Sequence, residues 1–487
     1  MKLKDALKFL GEVQVFGKDG VDIKGIAYHT EHVGPDSCFV AIKGQAADGH
    51  RFVDDAVKKG ASVVVTEKPV RLPDGVTNLV VSDTRDALAR LSSAYFADPS
   101  LNMRLLGITG TNGKTTITYL LESIFDAAGW TPGVIGTVDW RYPGSTRKAT
   151  HTTPESYELQ KLLREMSDAN VDACAMEVSS HALKMERVVG CHFDGAIFTN
   201  LSPEHLDYHK DMESYFDEKK KLFTERLVAS VKDRVFAAVN VDDPYGRRLC
   251  AGIKTPLWRY AIKEEADVRC RMVSFDANGM TLIVDTPQGE AKVRSPLYGR
   301  FNVENVLAAM AAGLALGVDL ETVTAAVGAL KRVPGRMDPV PNPRDILAFV
   351  DYAHTPDALK NVLFHAKELA KSRLIVVFGC GGDRDQQKRP LMGEAVAKIA
   401  DVVVVTSDNP RTEDPRAIID MIVPGLEKSG GAYEVIEDRR AAIEKACSLA
   451  KPGDVILVAG KGHEDYQIVG KKKKHFDDRE VLEEFLK

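Results

Sequence analysis

Cysteine is scarce in this sequence and is never closely paired. Seven cysteines are scattered among 487 residues, and none lies in a Cys-x-x-Cys pair of the kind that begins many structural zinc sites. Their spacing also offers no even framework for disulfide bonds, which are typical of secreted proteins. The sequence therefore predicts a protein of a reducing compartment without a structural zinc site, and we expect it to be cytoplasmic.

Long apolar runs and a strong excess of one charge are also missing. No window approaches the roughly 20 apolar residues of a membrane-spanning helix. The first residues, MKLKDALKFLGEV, alternate charged and apolar positions, unlike a signal peptide. The formal net charge of −5 gives no general reason to bind nucleic acid. We expect no membrane insertion and no nucleic-acid partner, and we interpret the basic run at 471–474 as a solvated turn beside the last helix.

The pattern along the chain predicts an α/β fold with three domains. Hydrophobic residues make up 44% and charged residues 28% of the chain, as in a globular enzyme. Short β-rich runs alternate with helical stretches, which indicates parallel sheets. Asp98-Pro99-Ser100 and Val333-Pro334-Gly335 interrupt this alternation in the manner of domain boundaries. We predict domains at 1–100, 101–333 and 334–487.

The second and third predicted domains carry the informative elements. In the second, a strand at 104–109 leads into a glycine-rich loop, and one long helix is predicted at 302–330. In the third, four apolar strands each run into a polar loop. Because parallel strands end at the same edge of a sheet, we expect these loops to form one site. The strands are predicted at 347–350, 374–378, 402–405 and 455–458, and the loops at 351–354, 381–384, 408–411 and 460–464.

The glycine-rich loop has the features of a phosphate-binding loop. Its backbone N–H groups can turn toward phosphate oxygens, and the following helix, predicted at 117–128, adds positive potential. The sequence departs from the standard pattern at Ile108, where a glycine is usual, and a glycine-rich turn without a ligand is the alternative. Since no Asn-Lys-x-Asp run for guanine is present, we predict an ATP and Mg²⁺ site formed by Gly110, Thr111, Asn112, Gly113, Lys114, Thr115 and Thr116.

Three further positions are candidates for metal or phosphate chemistry. Glu177 ends an apolar strand and is placed to bind Mg²⁺ or orient water, with ordinary capping as the alternative. The loop at 205–209 contains His205, Asp207 and His209, which are metal ligands or part of a solvated loop. Lys219 shares a helical face with apolar residues. It is therefore either a snorkelling lysine or a lysine held at the active site.

Taken in this order, the motifs resemble the Mur ligase family of ATP-dependent ligases. The resemblance extends over nearly the whole chain and is greatest to the members that add the third residue of the peptidoglycan peptide. It rests on residues 110–116, Thr152-Thr153-Pro154-Glu155, residues 177–183, Asn200 with residues 205–209, Lys219, and residues 299–305, 351–354, 408–411 and 460–464.

The resemblance implies a chemistry and a domain assignment. An N-terminal domain would bind the UDP-substrate, a central P-loop ATPase-type parallel sheet would bind ATP, and a C-terminal Rossmann-like domain would bind the amino acid. ATP would phosphorylate the D-glutamate side-chain carboxylate of UDP-MurNAc-L-Ala-D-Glu, and an amine would attack the acyl phosphate. Lys219 would carry a carbamate that binds Mg²⁺ with Thr115, Glu177 and His205, and Lys114 would complete the catalytic group. We expect a monomer.

The resemblance also assigns the remaining contacts residue by residue. ATP would contact Asn302, Arg336 and Asp351. The UDP-substrate would contact Thr30, Thr152, Thr153, Ser179 and Arg187. Two positions depart from the family pattern: His29-Thr30-Glu31 stands where the family more often has Asp-Ser-Arg, and Met185 stands where glutamine is common.

The loop at 408–411 predicts which amino acid is added. Arg411 precedes a helix marked by the N-cap Asp414 and by a proline, and its guanidinium can clasp a carboxylate that lysine lacks. We therefore predict meso-diaminopimelate, with L-lysine as the alternative. A surface arginine paired with Glu413 or Asp414 is the other interpretation of Arg411. The predicted amino-acid site comprises Arg384, Asp408, Asn409, Pro410, Arg411, Gly460 and Glu464.

Three other functions stay open from the sequence. A folylpolyglutamate-synthase-like ligase would share the phosphate loop but leaves the loops at 408–411 and 460–464 unexplained together. A regulatory NTPase would hydrolyse its nucleotide slowly without an amine acceptor. A binding protein for UDP-sugars would need no Lys114.

Overall fold

The computed structural model describes residues 1–44, 47–276, 278–430 and 432–487. These residues form two compact units. The first consists of Met1–Arg271, Val284–Ala291 and Glu304–Val327, and the second of Met272–Ile283, Lys292–Val303 and Gly328–Lys487. The domain boundaries at 100 and 333 stay predictions.

The first unit begins with a small sheet in the order β1-β5-β4-β3-β2. The inner pairs are parallel and β1 runs antiparallel to β5. The elements are α1 (Leu3–Ala6), β1 (Val13–Phe16), β2 (Gly25–Ala27), β3 (Ser37–Val40), α2 (Val53–Lys58), β4 (Ala61–Thr66), β5 (Thr77–Val81) and α3 (Thr84–Tyr95).

A second sheet follows, in the order β16-β15-β14-β13-β12-β11-β6-β10-β7-β8-β9. The strands from β13 to β7 in this order are parallel, so β6, β10 and β11 end at one edge. The elements are β6 (Arg104–Thr109), α4 (Lys114–Ala127), β7 (Pro132–Ile135), β8 (Asp139–Tyr142), β9 (Ser145–Lys148), α5 (Ser156–Asp168), β10 (Ala173–Glu177), α6 (Ser180–Lys184), β11 (Gly195–Phe198), α7 (Leu206–His209), α8 (Met212–Lys221), β12 (Phe236–Asn240), α9 (Pro244–Cys250), β13 (Leu257–Ala261), β14 (Val268–Asp276), β15 (Gly279–Thr286), β16 (Gly289–Ser295), α10 (Phe301–Ala315) and α11 (Leu320–Ala329).

The prediction of one long helix at 302–330 was wrong. The structure has two helices, α10 and α11, in this stretch. Gly317 adopts φ +89°, which interrupts the helix. Asp319 then accepts a hydrogen bond from the backbone N–H of Thr322 at 2.8 Å and caps the next helix. The apolar periodicity continues across the break, which is why the pattern alone suggested one helix.

The second unit is built on a sheet in the order β17-β18-β22-β19-β20-β21. From β18 to β21 all neighbours are parallel, so the four predicted loops emerge at the same edge, as expected. The elements are β17 (Asp338–Pro339), β18 (Leu347–Asp351), α12 (Pro356–Leu369), β19 (Leu374–Phe378), α13 (Lys388–Ala397), β20 (Val402–Val405), α14 (Pro415–Lys428), β21 (Tyr433–Val435), α15 (Arg439–Leu449), β22 (Val455–Ala459), β23 (Tyr466–Val469), β24 (Lys472–His475) and α16 (Asp478–Phe485).

The basic run at 471–474 is mostly a strand, which corrects its interpretation as a turn. Lys472 begins β24, which pairs with β23 in an antiparallel hairpin. Every residue of β24 is exposed, so the predicted solvation is confirmed while the backbone conformation differs. None of the helices in the described ranges is long and apolar enough to cross a membrane.

Candidate active site

The predicted phosphate loop connects β6 to α4 and is shaped by two glycines. A Cβ atom at Gly110 (φ +145°) would lie 1.8 Å from the Thr199 hydroxyl oxygen, and one at Gly113 (φ +91°) would lie 2.2 Å from Asn305 Oδ1. The helix begins at Lys114, three residues before its predicted start at 117. The sequence assigned no role to Thr199 or Asn305, although both border the loop.

Glu177 has its carboxylate held at the carboxyl end of β10. Its Oε1 accepts hydrogen bonds from the Thr115 hydroxyl at 3.0 Å and from the Thr137 N–H at 2.9 Å. Its Oε2 accepts a third bond from the Thr137 hydroxyl at 3.0 Å. The sequence reasoning missed Thr137, which follows β7, the parallel neighbour of β10. Glu177 and Thr115, two predicted Mg²⁺ ligands, are thus in direct contact.

Lys219 lies inside the protein and is not a snorkelling side chain. It is 1% exposed, and its Nζ donates to the carbonyl oxygen of Gly110 at 2.9 Å. The Nζ of Lys114 donates to the same oxygen, also at 2.9 Å. Burial, reinforced by the nearby charge of Lys114, holds the pKa of Lys219 well below its ordinary value. The structure therefore brings together the two lysines that the sequence singled out.

The loop at 205–209 contributes a group of imidazoles. His205 adopts φ +56° and lies edge-to-face with His181, with 4.9 Å between ring centres. His209 is buried, and its Nε2 lies 2.9 Å from the Ser180 hydroxyl oxygen. Burial lowers the pKa of His209 to about 4. The Asp207 side chain lies outside the described part, and the described residues contain no cluster of three or more His, Cys, Asp or Glu side chains that could hold a metal.

Hydrogen bonds link three of the predicted UDP-substrate residues, Thr152, Thr153 and Ser179, to Glu177, in the case of Thr152 through Thr137. The Thr152 and Thr137 hydroxyl oxygens are 3.1 Å apart. The Thr153 hydroxyl donates to the carbonyl oxygen of Glu177 at 2.8 Å and accepts from the Ser179 N–H at 3.1 Å. These contacts join Thr152, Thr153 and Ser179 to Glu177.

Arg187 and Thr30 complete the predicted UDP-substrate set. Arg187 Nη1 donates to the Thr153 carbonyl oxygen at 3.0 Å, which links it to the residues around Glu177. Its Nε is also 3.3 Å from Glu155 Oε2, an oxygen that Arg85 shares at the same distance. Thr30 lies in a short turn of the first sheet, where its carbonyl oxygen accepts a bond from Lys59 Nζ at 2.8 Å.

In the second unit, Asp351 and Arg336 lie at the end of β18. The two Asp351 oxygens accept from the N–H groups of Met337 at 2.7 Å and Ala353 at 2.8 Å. Burial raises the pKa of Asp351, and the Arg336 charge opposes that rise. The Arg336 guanidinium lies 5.0 Å from the centre of the Tyr352 ring. Asn302 is buried and donates to the Tyr298 carbonyl oxygen at 2.7 Å.

Arg411 is held over the neighbouring loop and is not a surface ion-pair partner. Its Nη1 donates to the Gly382 carbonyl oxygen at 2.7 Å. Glu413 is paired with Arg389 instead, and Asp414 caps α14 as predicted. The backbone of Arg411 has φ +51°, a conformation that L residues rarely adopt. Arg384, on the neighbouring loop, donates to the Asp383 carbonyl oxygen at 3.0 Å.

The loop at 460–464 meets the loop at 408–411. Glu464 Oε2 accepts from Asn409 Nδ2 at 2.7 Å, and Lys461 Nζ lies 3.6 Å from the same oxygen. Burial raises the pKa of Glu464. A Cβ atom at Gly460 would lie 2.6 Å from Asp408 Oδ2. Pro410 closes the tight turn, because its carbonyl oxygen accepts from the Glu413 N–H at 3.1 Å.

Comparison with known proteins gives a consistent result along the chain. The model described as Mur ligase family, catalytic domain matches residues 22–96, the Mur ligase middle domain matches residues 108–313, and the Mur ligase, glutamate ligase domain matches residues 335–462. The UDP-N-acetylmuramoyl-L-alanyl-D-glutamate–2,6-diaminopimelate ligase of Geobacter metallireducens is 46% identical over 99% of this chain and 98% of its own length. The ligase of the same name from Alkaliphilus metalliredigens is 43% identical over 100% of this chain and 98% of its own length.

Solved structures agree with the sequence relatives. A structure of a UDP-N-acetylmuramoyl-L-alanyl-D-glutamate–2,6-diaminopimelate ligase is similar with a TM-score of 0.73, at 32% identity and 96% coverage of both chains. The folylpolyglutamate synthase of Mycobacterium tuberculosis in complex with ADP and AMPPCP has a TM-score of 0.62 at 20% identity, covering 77% of this chain and 92% of its own, which shows a shared fold alone. With relatives this similar over nearly its entire length, and with three domain models matched, the chain belongs to the Mur ligase family.

Proposed function

We propose that this chain is an ATP-dependent ligase that joins meso-2,6-diaminopimelate to UDP-N-acetylmuramoyl-L-alanyl-D-glutamate, a step of peptidoglycan precursor synthesis. The observation that carries the proposal is the 46% identity to a ligase of that name over 99% of the chain. The folylpolyglutamate-synthase alternative is not favoured, because that likeness is confined to the fold at 20% identity. A regulatory NTPase leaves the loops around Arg411 and Glu464 without a purpose.

The reaction needs a carboxylate to be activated before an amine can attack it. An oxygen of the D-glutamate side-chain carboxylate attacks the γ-phosphorus of ATP, and ADP leaves. The amine nitrogen then attacks the acyl carbon, phosphate leaves, and the nitrogen loses its proton. Charge builds up on phosphate oxygens in the first step, and fixed cations stabilise such charge best. Lys114, at the start of α4, is the residue that supplies a cation beside the phosphate loop.

The environment of Lys219 supports its proposed carbamate. Carbon dioxide reacts with a neutral amine, and the pKa of Lys219 is lowered well below its ordinary value by burial. The addition forms an N–C bond at Nζ, releases one proton, and converts the neutral amine into an anion. Two lysine Nζ atoms now donate to the single carbonyl oxygen of Gly110. The charge of Lys114 disfavours a second positive charge at Lys219. An anion at Lys219 would instead be attracted to Lys114.

The donors around the phosphate loop suit Mg²⁺, which prefers hard oxygen ligands. The Thr115 hydroxyl and Glu177 Oε1 are 3.0 Å apart and could both bind one ion. In the proposal His205 and the Lys219 carbamate complete the set, and the bound ion would neutralise phosphate charge. A carbamate would add a second anionic oxygen ligand beside Glu177.

The second unit provides the proposed amino-acid and nucleotide contacts. Arg411 and Arg384 are assigned to a carboxylate of meso-diaminopimelate, which a guanidinium fork can bind through two hydrogen bonds. Glu464 is assigned to the distal ammonium, with Asp408 and Asn409 shaping the loop. Asp351, Arg336 and Asn302 are assigned to ATP. The proposed enzyme acts as a monomer in the cytoplasm, where seven free thiols would stay reduced.

Amino-acid-dependent release of phosphate tests the proposal. Purified protein receives ATP, Mg²⁺ and UDP-MurNAc-L-Ala-D-Glu, with either meso-diaminopimelate or L-lysine. We expect release with meso-diaminopimelate alone and none from a Lys114→Ala variant. Release with lysine alone would keep the ligase and overturn the assignment of Arg411. Release without any amino acid would favour an NTPase.

A further inference from the structure

The loops after β19 and β20 are joined to each other by hydrogen bonds at several points. The Gly382 N–H donates to the Asn409 carbonyl oxygen at 2.9 Å. The Thr412 hydroxyl donates to Asp383 Oδ1 at 2.6 Å. Because β19 and β20 are parallel neighbours, the loops leave the sheet side by side. One loop carries Arg384 and the other carries Arg411, so any change in their spacing moves the two guanidinium groups relative to each other.

The ion pair between Arg389 and Glu413 contacts both of these loops. Arg389, near the start of α13, is 0% exposed and donates two parallel hydrogen bonds to Glu413, each of 2.8 Å. The same carboxylate accepts the backbone N–H of Asp383 at 2.5 Å. Arg389 Nη2 also lies 3.3 Å from the Gly381 carbonyl oxygen. The pair therefore ties one helix to both loops.

The geometry of the pair is suited to fixing positions. A guanidinium and a carboxylate joined by two bonds have one preferred relative orientation, unlike a lysine salt bridge. Glu413 lies two residues after Arg411, and it also accepts the N–H of the residue before Arg384. Movement of Glu413 would thus be transmitted to both arginines over one or two peptide units.

We propose that Arg389 and Glu413 are positioning residues for amino-acid selection, which hold the Arg384 and Arg411 loops at the spacing that a substrate carboxylate requires. This inference rests on the proposed function. Neither side chain is assigned to a substrate, and neither belongs to the ATP or Mg²⁺ sites. Their effect is therefore expected in the binding of the amino acid alone.

Kinetics of Glu413→Gln and Arg389→Lys test the proposal. Both variants retain a hydrogen-bonding group but lose the matched fork. We expect the KM for meso-diaminopimelate to rise about tenfold to a hundredfold, the range that small misplacements of binding groups cause. The KM for ATP should stay unchanged, and the preference for meso-diaminopimelate over L-lysine should fall by about the same factor as the KM rises.

A second ion pair in the same sheet provides the matched control. Arg373 and Asp454 precede β19 and β22, at the opposite edge from the loops, and approach to 2.6 Å. Asp454 also accepts two backbone N–H groups, as a structural carboxylate does. Asp454→Asn should lower thermal stability without changing the KM for either amino acid. An equal loss of selectivity in Asp454→Asn and Glu413→Gln would reduce the pair to a general structural role and overturn the proposal.

Amide hydrogen exchange separates failure of this proposal from failure of the proposed function. If wild-type protein shows no amino-acid-dependent phosphate release, the proposed function fails whatever the variants do. Exchange at the Gly382 and Asp383 amides should still be faster in Glu413→Gln than in wild type and Asp454→Asn. Unchanged exchange at both amides would show that the pair does not hold the loops, and a folded, fully selective Glu413→Gln would show that selection does not depend on it.

Discussion

Removal of Asp478 should destabilise the second unit far more than removal of an exposed partner on the same helix. Asp478 and Arg439 form an ion pair in which both side chains are 0% exposed, with two bonds of 2.7 Å. Asp478→Ala would leave a guanidinium buried without its counter-charge. Breaking a buried pair in this way costs about 3–5 kcal/mol of unfolding free energy.

The neighbouring pair Arg440–Glu484 joins the same two helices, α15 and α16, and serves as control. Its side chains are 46% and 51% exposed, so solvent screens the interaction. Glu484→Ala should therefore cost far less unfolding free energy than Asp478→Ala. Urea unfolding of both variants, followed by a probe in the second unit, measures the difference.

Equal and small losses in the two variants would refute the reasoning that burial decides the cost. The expected loss also has a functional side, because Arg439 Nη2 donates to the Ala459 carbonyl oxygen at 3.0 Å, directly before Gly460. Hydrogen exchange at residues 460–464 should therefore increase in Asp478→Ala and stay unchanged in Glu484→Ala.

Three further predictions follow from single residues. Lys219→Ala should lose ligase activity, and added formate should partly restore that activity by replacing the carbamate. Equal restoration in a Lys114→Ala variant would contradict the carbamate assignment. Arg411→Gly should unfold with about 1 kcal/mol more free energy than Arg411→Ala, because glycine adopts φ +51° without strain; denaturation curves of the two variants compare them directly. Burial raises the pKa of Glu304 to about 7 from an ordinary value of 4.5. Between these two pH values the folded protein therefore holds a proton that the unfolded chain has released, and its stability falls as pH rises. Glu304→Gln should therefore melt above wild type at pH 8 and at the same temperature near pH 4, and a difference that does not change with pH would contradict the assignment.

The sequence predicted those features that depend on regular patterns. The alternation of apolar strands and helices indicated a parallel sheet, and from it followed the common edge of the loops at 351, 381, 408 and 460. Helical periodicity predicted that Lys219 shares a face with Tyr215 and Phe216, and all three side chains are buried. It did not decide between a snorkelling lysine and one held inside the protein. These predictions needed no knowledge of which elements are neighbours.

Contacts between elements far apart in sequence could not be predicted. Thr137 bonds to Glu177 because β7 lies beside β10, and this order of strands is not encoded in any local pattern. The pairing of Arg389 with Glu413 depends likewise on the packing of α13 beside α14. The hairpin of β23 and β24 was missed for a different reason: β24 is exposed along its whole length and carries no apolar alternation.

The backbone of residue 411 has a consequence for the evolution of this enzyme. Its N–H donates to the Ile468 carbonyl oxygen at 3.0 Å, and its carbonyl oxygen accepts from the Gly470 N–H at 2.6 Å. These two main-chain bonds to the hairpin do not involve the side chain of residue 411. A single codon change at this position can therefore replace the guanidinium while the loop keeps its course.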